Sequence, residues 1–307
     1  MEFGKIKDIT DINFSLPIDR IKTINLLKGA LPQRTSLPRV YIGCTGWAMK
    51  EWVGWIYPKE CKPTDYLRYY SQQFNTLEMN TTHYRIPSTK DIEKWRRDSA
   101  PDFRFAPKML QRVSHSKNLG YGTGLTTQFC EAIQGLEEKL GICFMQMPPH
   151  FRFADLSIFE KYISKFPKTI PLAIEIRHEE WFSNAQYFKT IFDMLEHFHV
   201  STVITDVAGR RDVLHQRLTT STAVIRFVGN NLNPTDYSRI DEWVERLKTW
   251  FELGLHEVYF FTHEPENING PRLAKYLHDK IKESFSVILR GPVFEEQKGE
   301  HQYKLFE

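Results

Sequence analysis

Cysteine is scarce in this sequence, and long apolar runs are missing. The chain has 307 residues but only four cysteines, Cys44, Cys61, Cys130 and Cys143, and no two of them form a C-x-x-C pair. So few thiols cannot crosslink a chain of this length, which predicts reduced thiols and a cytoplasmic location. Charged residues interrupt the apolar clusters near the N-terminus, and no later run could span a bilayer. Neither a secretory signal nor a membrane partner is therefore expected.

The sequence also lacks the short motifs of common cofactor and metal sites. No G-x-G-x-x-G or P-loop pattern follows a predicted strand, and H-E-x-x-H is absent. The formal net charge is only +3 and the basic residues are not clustered, so a nucleic-acid partner has weak support. We expect no cofactor and no bound metal.

A regular alternation of strand and helix patterns fills the rest of the chain. Short β-branched runs, each apolar at its start and polar at its end, alternate with helical periodicity, which is typical of βαβ units and a parallel sheet. The predicted strands begin at Val40, Thr76, Phe103, Gly141, Leu172, Val200, Thr222 and Glu257. Eight units predict a (β/α)8 TIM-type barrel, with an open doubly wound sheet as the alternative. Residues 1–39 are predicted as an N-terminal extension that packs on the barrel, residues 40–290 as the barrel, and residues 291–307 as a C-terminal tail.

Polar and aromatic side chains are concentrated where the predicted strands end. In a (β/α)8 barrel, the carboxyl ends of the strands and the loops that follow them build the active site. The candidate site residues at these positions are Trp47, Glu78, Asn80, Lys108, Gln146, Glu175, Arg177, His178, Asp206, Arg226 and His263.

Several runs along the chain resemble one known family. IGCTGW, FNTLEMNTTHYRIPS, FRFAPK, LGICFMQMPPHF, AIEIRHEEWF and TAVIRFVG are similar, in order and spacing, to the YecE-like family, also called domain of unknown function 72. The resemblance spans roughly Val40 to Leu277 and implies a (β/α)8 barrel, but it implies no established reaction. Two departures affect the predicted site: Val228 replaces a histidine of the family pattern, and Thr262 begins a run that replaces Asn-Asn-Asp. They indicate either altered or lost activity.

The carboxylates of the candidate site have two interpretations. Glu175 and Asp206 end neighbouring strands, where they could face one cavity and divide acid and base roles, with Glu78 as a third catalytic candidate. The alternative is an ion-pair lattice of these carboxylates with the nearby Lys and Arg side chains, without catalysis.

The cations of the candidate site predict an anionic ligand. Lys108, Arg177 and Arg226 follow or end alternate strands, and three buried cations favour a bound carboxylate or phosphate. The other predicted ligand-binding residues are Trp47, Asn80, Gln146, His178 and His263. The sequence favours two functions: an enzyme that applies acid–base chemistry to an anionic small molecule, and a non-catalytic binding module for a nucleotide, a nucleic-acid end or another anion. A metal-dependent hydrolase or isomerase is a third possibility, by analogy of fold alone.

Overall fold

A computed structural model of the chain describes residue 4, residues 6–292 and residue 294. Each of the eight predicted strands is present, and a two-residue ninth strand follows. The strands are β1 (Arg39–Gly43), β2 (Thr76–Met79), β3 (Arg104–Pro107), β4 (Cys143–Gln146), β5 (Leu172–Glu175), β6 (Ser201–Asp206), β7 (Thr222–Val228), β8 (Glu257–His263) and β9 (Ile288–Leu289).

Helices follow nearly every strand, as the periodicity predicts. They are α1 (Ile21–Ala30), α2 (Tyr66–Gln73), α3 (Thr81–Tyr84), α4 (Thr89–Asp98), α5 (Gln111–Ser114), α6 (Leu125–Gln134), α7 (Leu156–Lys165), α8 (Glu180–Ser183), α9 (Ala185–His197), α10 (Pro234–Leu253) and α11 (Gly270–Ser284). Helix α10 begins with a capping box between Asn233 and Asp236 and ends at Gly254, whose φ of +127° suits glycine.

The predicted closed eight-stranded barrel is wrong, because the hydrogen-bonded strands do not form a closed ring. Parallel ladders join β4-β5-β6-β7-β8-β1-β9 into an open sheet of seven strands, and β2 and β3 form a separate pair. The Asn75 side chain takes the bonding positions beside β1, since it donates to Val40 O at 2.8 Å and accepts from Ile42 N at 2.7 Å. Between β3 and β4 only isolated bridges remain, such as that from Lys108 to Phe144. The fold is therefore α/β with an open parallel sheet and a separate strand pair.

The strands bury one face against the helices and turn the other face inward. Two large apolar clusters combine strand and helix side chains. A third, smaller cluster consists of side chains from the strands and their edges alone: Tyr41, Ala106, Ile142, Phe144, Ala173, Val203, Val224, Tyr259 and Phe261. Because side chains alternate along a strand, the residues two positions further on share this inward face. This places polar side chains just beyond the apolar cluster, toward the carboxyl ends of the strands.

The segment before β1 packs against the last third of the chain. Helix α1 contacts α10, and Leu16 N donates to Glu242 Oε1 at 2.8 Å. Asp19 Oδ1 accepts from Arg246 and Trp250, each at 2.9 Å. The predicted boundaries at residues 39 and 290 stay predictions. Apart from Gly291, Pro292 and Phe294, the predicted C-terminal tail lies outside the described residues. Among those that are described, no helix is both long and apolar enough to cross a membrane.

Candidate functional site

The inward positions at the strand ends bring six ionisable side chains together. Four of them lie two residues after an apolar residue of the inward face. The other two are Glu78, which lies in β2, and Arg177, which lies two residues after Glu175. We call this group the charge cluster: Glu78, Lys108, Glu175, Arg177, Arg226 and His263. All six were predicted as site residues.

Arg226 is the centre of the charge cluster and joins two buried carboxylates. Its Nε lies 2.8 Å from Glu78 Oε2, and one terminal nitrogen lies 2.9 Å from Glu78 Oε1. The other terminal nitrogen contacts Glu175 Oε2 at 2.9 Å and Oε1 at 3.1 Å. Such paired contacts are the strong geometry of arginine with carboxylates. Arg226 therefore directs most of its donors to protein groups.

Glu175 receives further hydrogen bonds that hold it ionised. Arg177 Nε and Gln146 Nε2 each donate to it at 2.8 Å, and Thr205 Oγ1 donates at 2.9 Å. Burial alone would raise the pKa of Glu175, but Arg177 and Arg226 outweigh it and hold that pKa below its ordinary value. A carboxylate with a lowered pKa cannot serve as a general acid near neutral pH.

Glu78 is ionised for the same reason and also orients His263. Burial opposes its ionisation, but Arg226 and His263 hold its pKa well below its ordinary value. His263 Nε2 lies 2.8 Å from Glu78 Oε2. Burial lowers the pKa of His263, so the ring is neutral near pH 7 and Nε2–H donates to the carboxylate. Nδ1 then carries the lone pair, which makes it the basic nitrogen of this pair.

Lys108 differs from the two arginines of the charge cluster. Its ammonium forms no ion pair or hydrogen bond with any residue of the described part of the chain, and it lies 5.7 Å from the centre of the Phe144 ring. The residue is 8% exposed. Burial and the neighbouring Arg226 lower the pKa of Lys108 to about 8. The predicted ion-pair lattice is therefore present around Arg177 and Arg226 but does not include Lys108.

Asp206 lies apart from the charge cluster, which corrects the expectation that it shares a cavity with Glu175. Thr205 points to Glu175, so the next residue of β6 points to the opposite face. There Asp206 accepts from Arg239 at 2.8 Å, from Trp243 Nε1 at 2.8 Å and from Arg211. Asp206 is a buried anchor between β6 and α10.

The remaining predicted residues divide between the charge cluster and other structural positions. Gln146 bonds Glu175, and Asn80 Nδ2 donates to Glu78 Oε1 at 3.1 Å, so both hold the carboxylates. Trp47 packs edge-on against Trp95 with ring centres 6.3 Å apart. His178 Nδ1 accepts from Glu180 N at 3.1 Å, at the start of α8. Neither Trp47 nor His178 contacts a side chain of the charge cluster in any hydrogen bond that the structure describes.

Val228 and Thr262, the two positions that depart from the family pattern, both form structural hydrogen bonds. The carbonyl oxygen of Val228 accepts a hydrogen bond from Arg239 at 3.1 Å. Thr262 Oγ1 donates to Gly270 O at 2.9 Å and lies 3.7 Å from Cys44 Sγ. Burial raises the pKa of Cys44 to about 12, so this thiol stays protonated.

Two histidines near Lys108 were missed by the sequence analysis. His83 and His115 have ring centres 5.5 Å apart, and burial, with a smaller effect of Lys108, lowers the pKa of both. His83 Nδ1 contacts Met109 O at 2.7 Å. Both residues follow strand ends, β2 and β3, and that position was the available signal. Within the described ranges, no three His, Cys, Asp or Glu side chains are grouped as a metal site would require.

Comparison with known proteins gives the chain a family. Residues 41–298 match the family described as "Protein of unknown function DUF72". The chain belongs to this family. The resemblance seen in the sequence is thus confirmed, and the family description assigns no activity.

One curated relative of this DUF72 member matches most of its length, and another matches half of it. UPF0759 protein YecE of Escherichia coli strain K12 is 25% identical over 276 residues, which are 84% of this chain and 98% of YecE. UPF0759 protein YunF of Bacillus subtilis strain 168 is 25% identical over 159 residues, 50% of this chain and 55% of YunF.

Two solved structures have a similar fold. A DUF72 protein of Enterococcus faecalis V583 superposes with a TM-score of 0.65 at 19% identity and covers 81% of this chain and 98% of its own. A DUF72 protein of Thermotoga maritima MSB8 has a TM-score of 0.60 at 24% identity, with 80% and 98% covered. These likenesses concern the fold alone.

Proposed function

We propose that the charge cluster binds an anionic small molecule, with a carboxylate or phosphate group, and supports acid–base chemistry on it. One observation carries the proposal: the cluster has a surplus of positive charge. Lys108, Arg177 and Arg226 supply three positive charges, and Glu78 and Glu175 supply two negative ones. Among the described residues, the ammonium of Lys108 has no ion-pair partner, and a bound anion would supply one.

Lys108 is the residue that we assign to the anion. Arg226 already binds both carboxylates, whereas the ammonium of Lys108 has no hydrogen-bond acceptor among the described residues. Charge-assisted hydrogen bonds of this kind contribute about 1.5–3 kcal/mol each. The anion would therefore lie against Lys108, at the carboxyl ends of the strands.

His263 is the group that we assign to proton transfer. Glu78 and Glu175 are held ionised, and Asp206 lies on the other face of β6. The neutral His263, oriented by Glu78 at 2.8 Å, keeps its second ring nitrogen as a base.

Thermal unfolding with added anions tests the binding. Sulfate or phosphate should raise the melting temperature of the wild type in a concentration-dependent way, more than sodium chloride of equal ionic strength does. Lys108→Met should lose this difference, while Lys90→Met, which alters an exposed lysine, should retain it. Equal effects of sulfate, phosphate and chloride on the wild type would refute the proposal.

A non-catalytic binding module is the second candidate. It is supported by the way the ion pairs around Arg226 satisfy one another, which suits a rigid binding surface as well as a catalytic one. A module for a nucleotide or a nucleic-acid end should be stabilised more by nucleoside monophosphates than by inorganic phosphate. A cytoplasmic location and the absence of a cofactor stay predictions; the former is supported by four cysteines that are all free thiols.

A further inference from the structure

We propose that the Lys108 amine is a nucleophile that condenses with the carbonyl group of an anionic carbonyl compound to form an imine. The substrate class is a 2-oxo acid or a keto phosphate, in which the anionic group and the carbonyl are close together. This inference rests on the proposed function, because the same charge cluster would hold the anionic group.

The position of Lys108 supports a chemical role. The residue follows β3 on the inward face, is 8% exposed, and its ammonium has no hydrogen-bond partner among the described residues. Lys139 offers a direct comparison, since it is equally buried at 6% exposed. Its ammonium donates to Arg96 O at 2.6 Å, to Ser99 O at 2.7 Å and to Ser99 Oγ at 3.0 Å. Three hydrogen bonds make Lys139 structural, whereas the amine of Lys108 is left for a ligand.

The surroundings of Lys108 increase the fraction of neutral amine, although Glu78 and Glu175 favour the ammonium. The ionisable groups that interact electrostatically with Lys108 lie on β2, β5 and β7 and in the segments that follow β2, β3 and β5. They are Glu78, Glu175, Arg226, Arg177, His83 and His115. Burial and Arg226 disfavour the ammonium and lower the pKa of Lys108 to about 8. At pH 7.5 about one quarter of this amine is neutral, against about one in a thousand for a lysine with the ordinary value. Amine nucleophiles are activated in this way, by burial and by cationic neighbours.

The reaction balances without an oxidant or a reductant. The nitrogen lone pair attacks the carbonyl carbon, so that a C–N bond forms as the C=O π bond breaks. The nitrogen loses one proton and the carbonyl oxygen gains one, which gives a carbinolamine. Loss of that oxygen as water then forms the C=N bond. His115 Nδ1 contacts Ser114 Oγ at 2.8 Å, the residue is partly exposed, and Lys108 contributes to lowering its pKa. We assign to it the transfer of protons between the amine and solvent.

Reductive trapping tests the inference. The wild-type protein is incubated at pH 7.5 with pyruvate or dihydroxyacetone phosphate, treated with sodium borohydride and analysed by intact mass and peptide mapping. We expect one adduct, with the mass of the carbonyl compound less one oxygen atom, on Lys108. Labelling of Lys108 should exceed that of the exposed Lys90 by at least about tenfold, because the lowered pKa of Lys108 leaves about one quarter of its amine neutral at this pH. Lys139 should stay unlabelled.

The variant Lys108→Arg tests the imine, and the response of the wild type to sulfate separates the inference from the proposed function. The variant keeps the positive charge but cannot form the imine, so it should lose the adduct. Stabilisation of the wild type by sulfate without an adduct on Lys108 would overturn the imine and leave anion binding intact. An adduct on Lys108 that forms equally with neutral dihydroxyacetone, without any sulfate effect, would support the nucleophile and refute anion binding. Labelling spread evenly over the exposed lysines would overturn the inference even if the variant does not fold.

Discussion

Replacing Lys108 by Met should stabilise the protein at neutral pH, because it removes a buried cation that has no ion-pair partner in the described part of the chain. The pKa of this lysine is lowered from 10.5 to about 8. At about 1.4 kcal/mol per pH unit, that difference corresponds to a destabilisation of about 3 kcal/mol when the amine is protonated. The unfolded chain holds the proton up to about pH 10.5 and the folded chain only up to about pH 8. Wild-type stability therefore increases between these two values.

Urea unfolding at pH 7 and pH 9.5, followed by the fluorescence of the seven tryptophans, measures this effect. The advantage of Lys108→Met over the wild type should shrink by about 2 kcal/mol between the two pH values. Other groups that titrate in this range cancel in the comparison, because both proteins contain them. Lys108→Arg keeps its charge and should fall behind the wild type by a similar amount at pH 9.5. If the Met variant and the wild type change in parallel, the reasoning about a buried, uncompensated cation is refuted.

Three further substitutions test other parts of the structure. Arg226→Met leaves Glu78 and Glu175 buried without their shared partner and should lower the free energy of unfolding by about 3–5 kcal/mol in urea. Asp206→Asn should lower it by about 1–3 kcal/mol, because charged hydrogen bonds weaken, yet leave the phosphate-induced shift in melting temperature unchanged. Burial raises the pKa of Glu264 to about 7, above its unfolded value of about 4.5. The stability that this group contributes is therefore lost as pH rises from about 4.5 through 7, and the melting temperature should fall over that range. Glu264→Gln should remove this fall.

A specific result would contradict each of these three predictions. An Arg226 variant as stable as the wild type would mean that the two carboxylates find other partners. Loss of the phosphate effect in the Asp206 variant would place that residue in the binding site after all. A wild type and a Glu264 variant with the same pH dependence between pH 5 and pH 8 would show that this carboxyl group does not titrate there.

The strands and the charge cluster could be predicted because their signals are local. Most strands have an apolar interior and a polar residue at or just after their end, and the inward face follows from counting two residues on from an apolar inward residue, as from Ala173 to Glu175 and from Val224 to Arg226. The role of Asp206 could not be predicted in this way, since β6 ends in two polar residues and either could face inward. A clue lay further along the chain: Arg239 falls beside Ile240 in the apolar stripe of α10 and requires a buried acid.

Closure of the sheet could not be predicted from the alternation of strands and helices. That alternation specifies parallel strands, but not whether every neighbouring pair forms a ladder. Beside β1, the side chain of Asn75 occupies the bonding groups of Val40 and Ile42, and between β3 and β4 there are isolated bridges in place of a ladder. The separation of Lys108 from the ion pairs depends likewise on distances between strands, which no sequence pattern contains.

The docking of the N-terminal segment on α10 has a consequence for synthesis on the ribosome. Leu16 and Glu242 are separated by 226 residues, so the segment emerges long before its binding surface exists. At about 5–20 residues per second, the delay is roughly 10–45 seconds. Ile18 and Ile21 stay exposed even in the finished fold, at 85% and 68%, but Leu16 and Leu27 are buried, at 7% and 0%, so the waiting segment presents apolar side chains that are covered only when it docks. The last step of folding should thus be the return of the first-made segment to the helix made near the end, and the nascent chain passes through a state in which the strands are formed and this segment is still undocked.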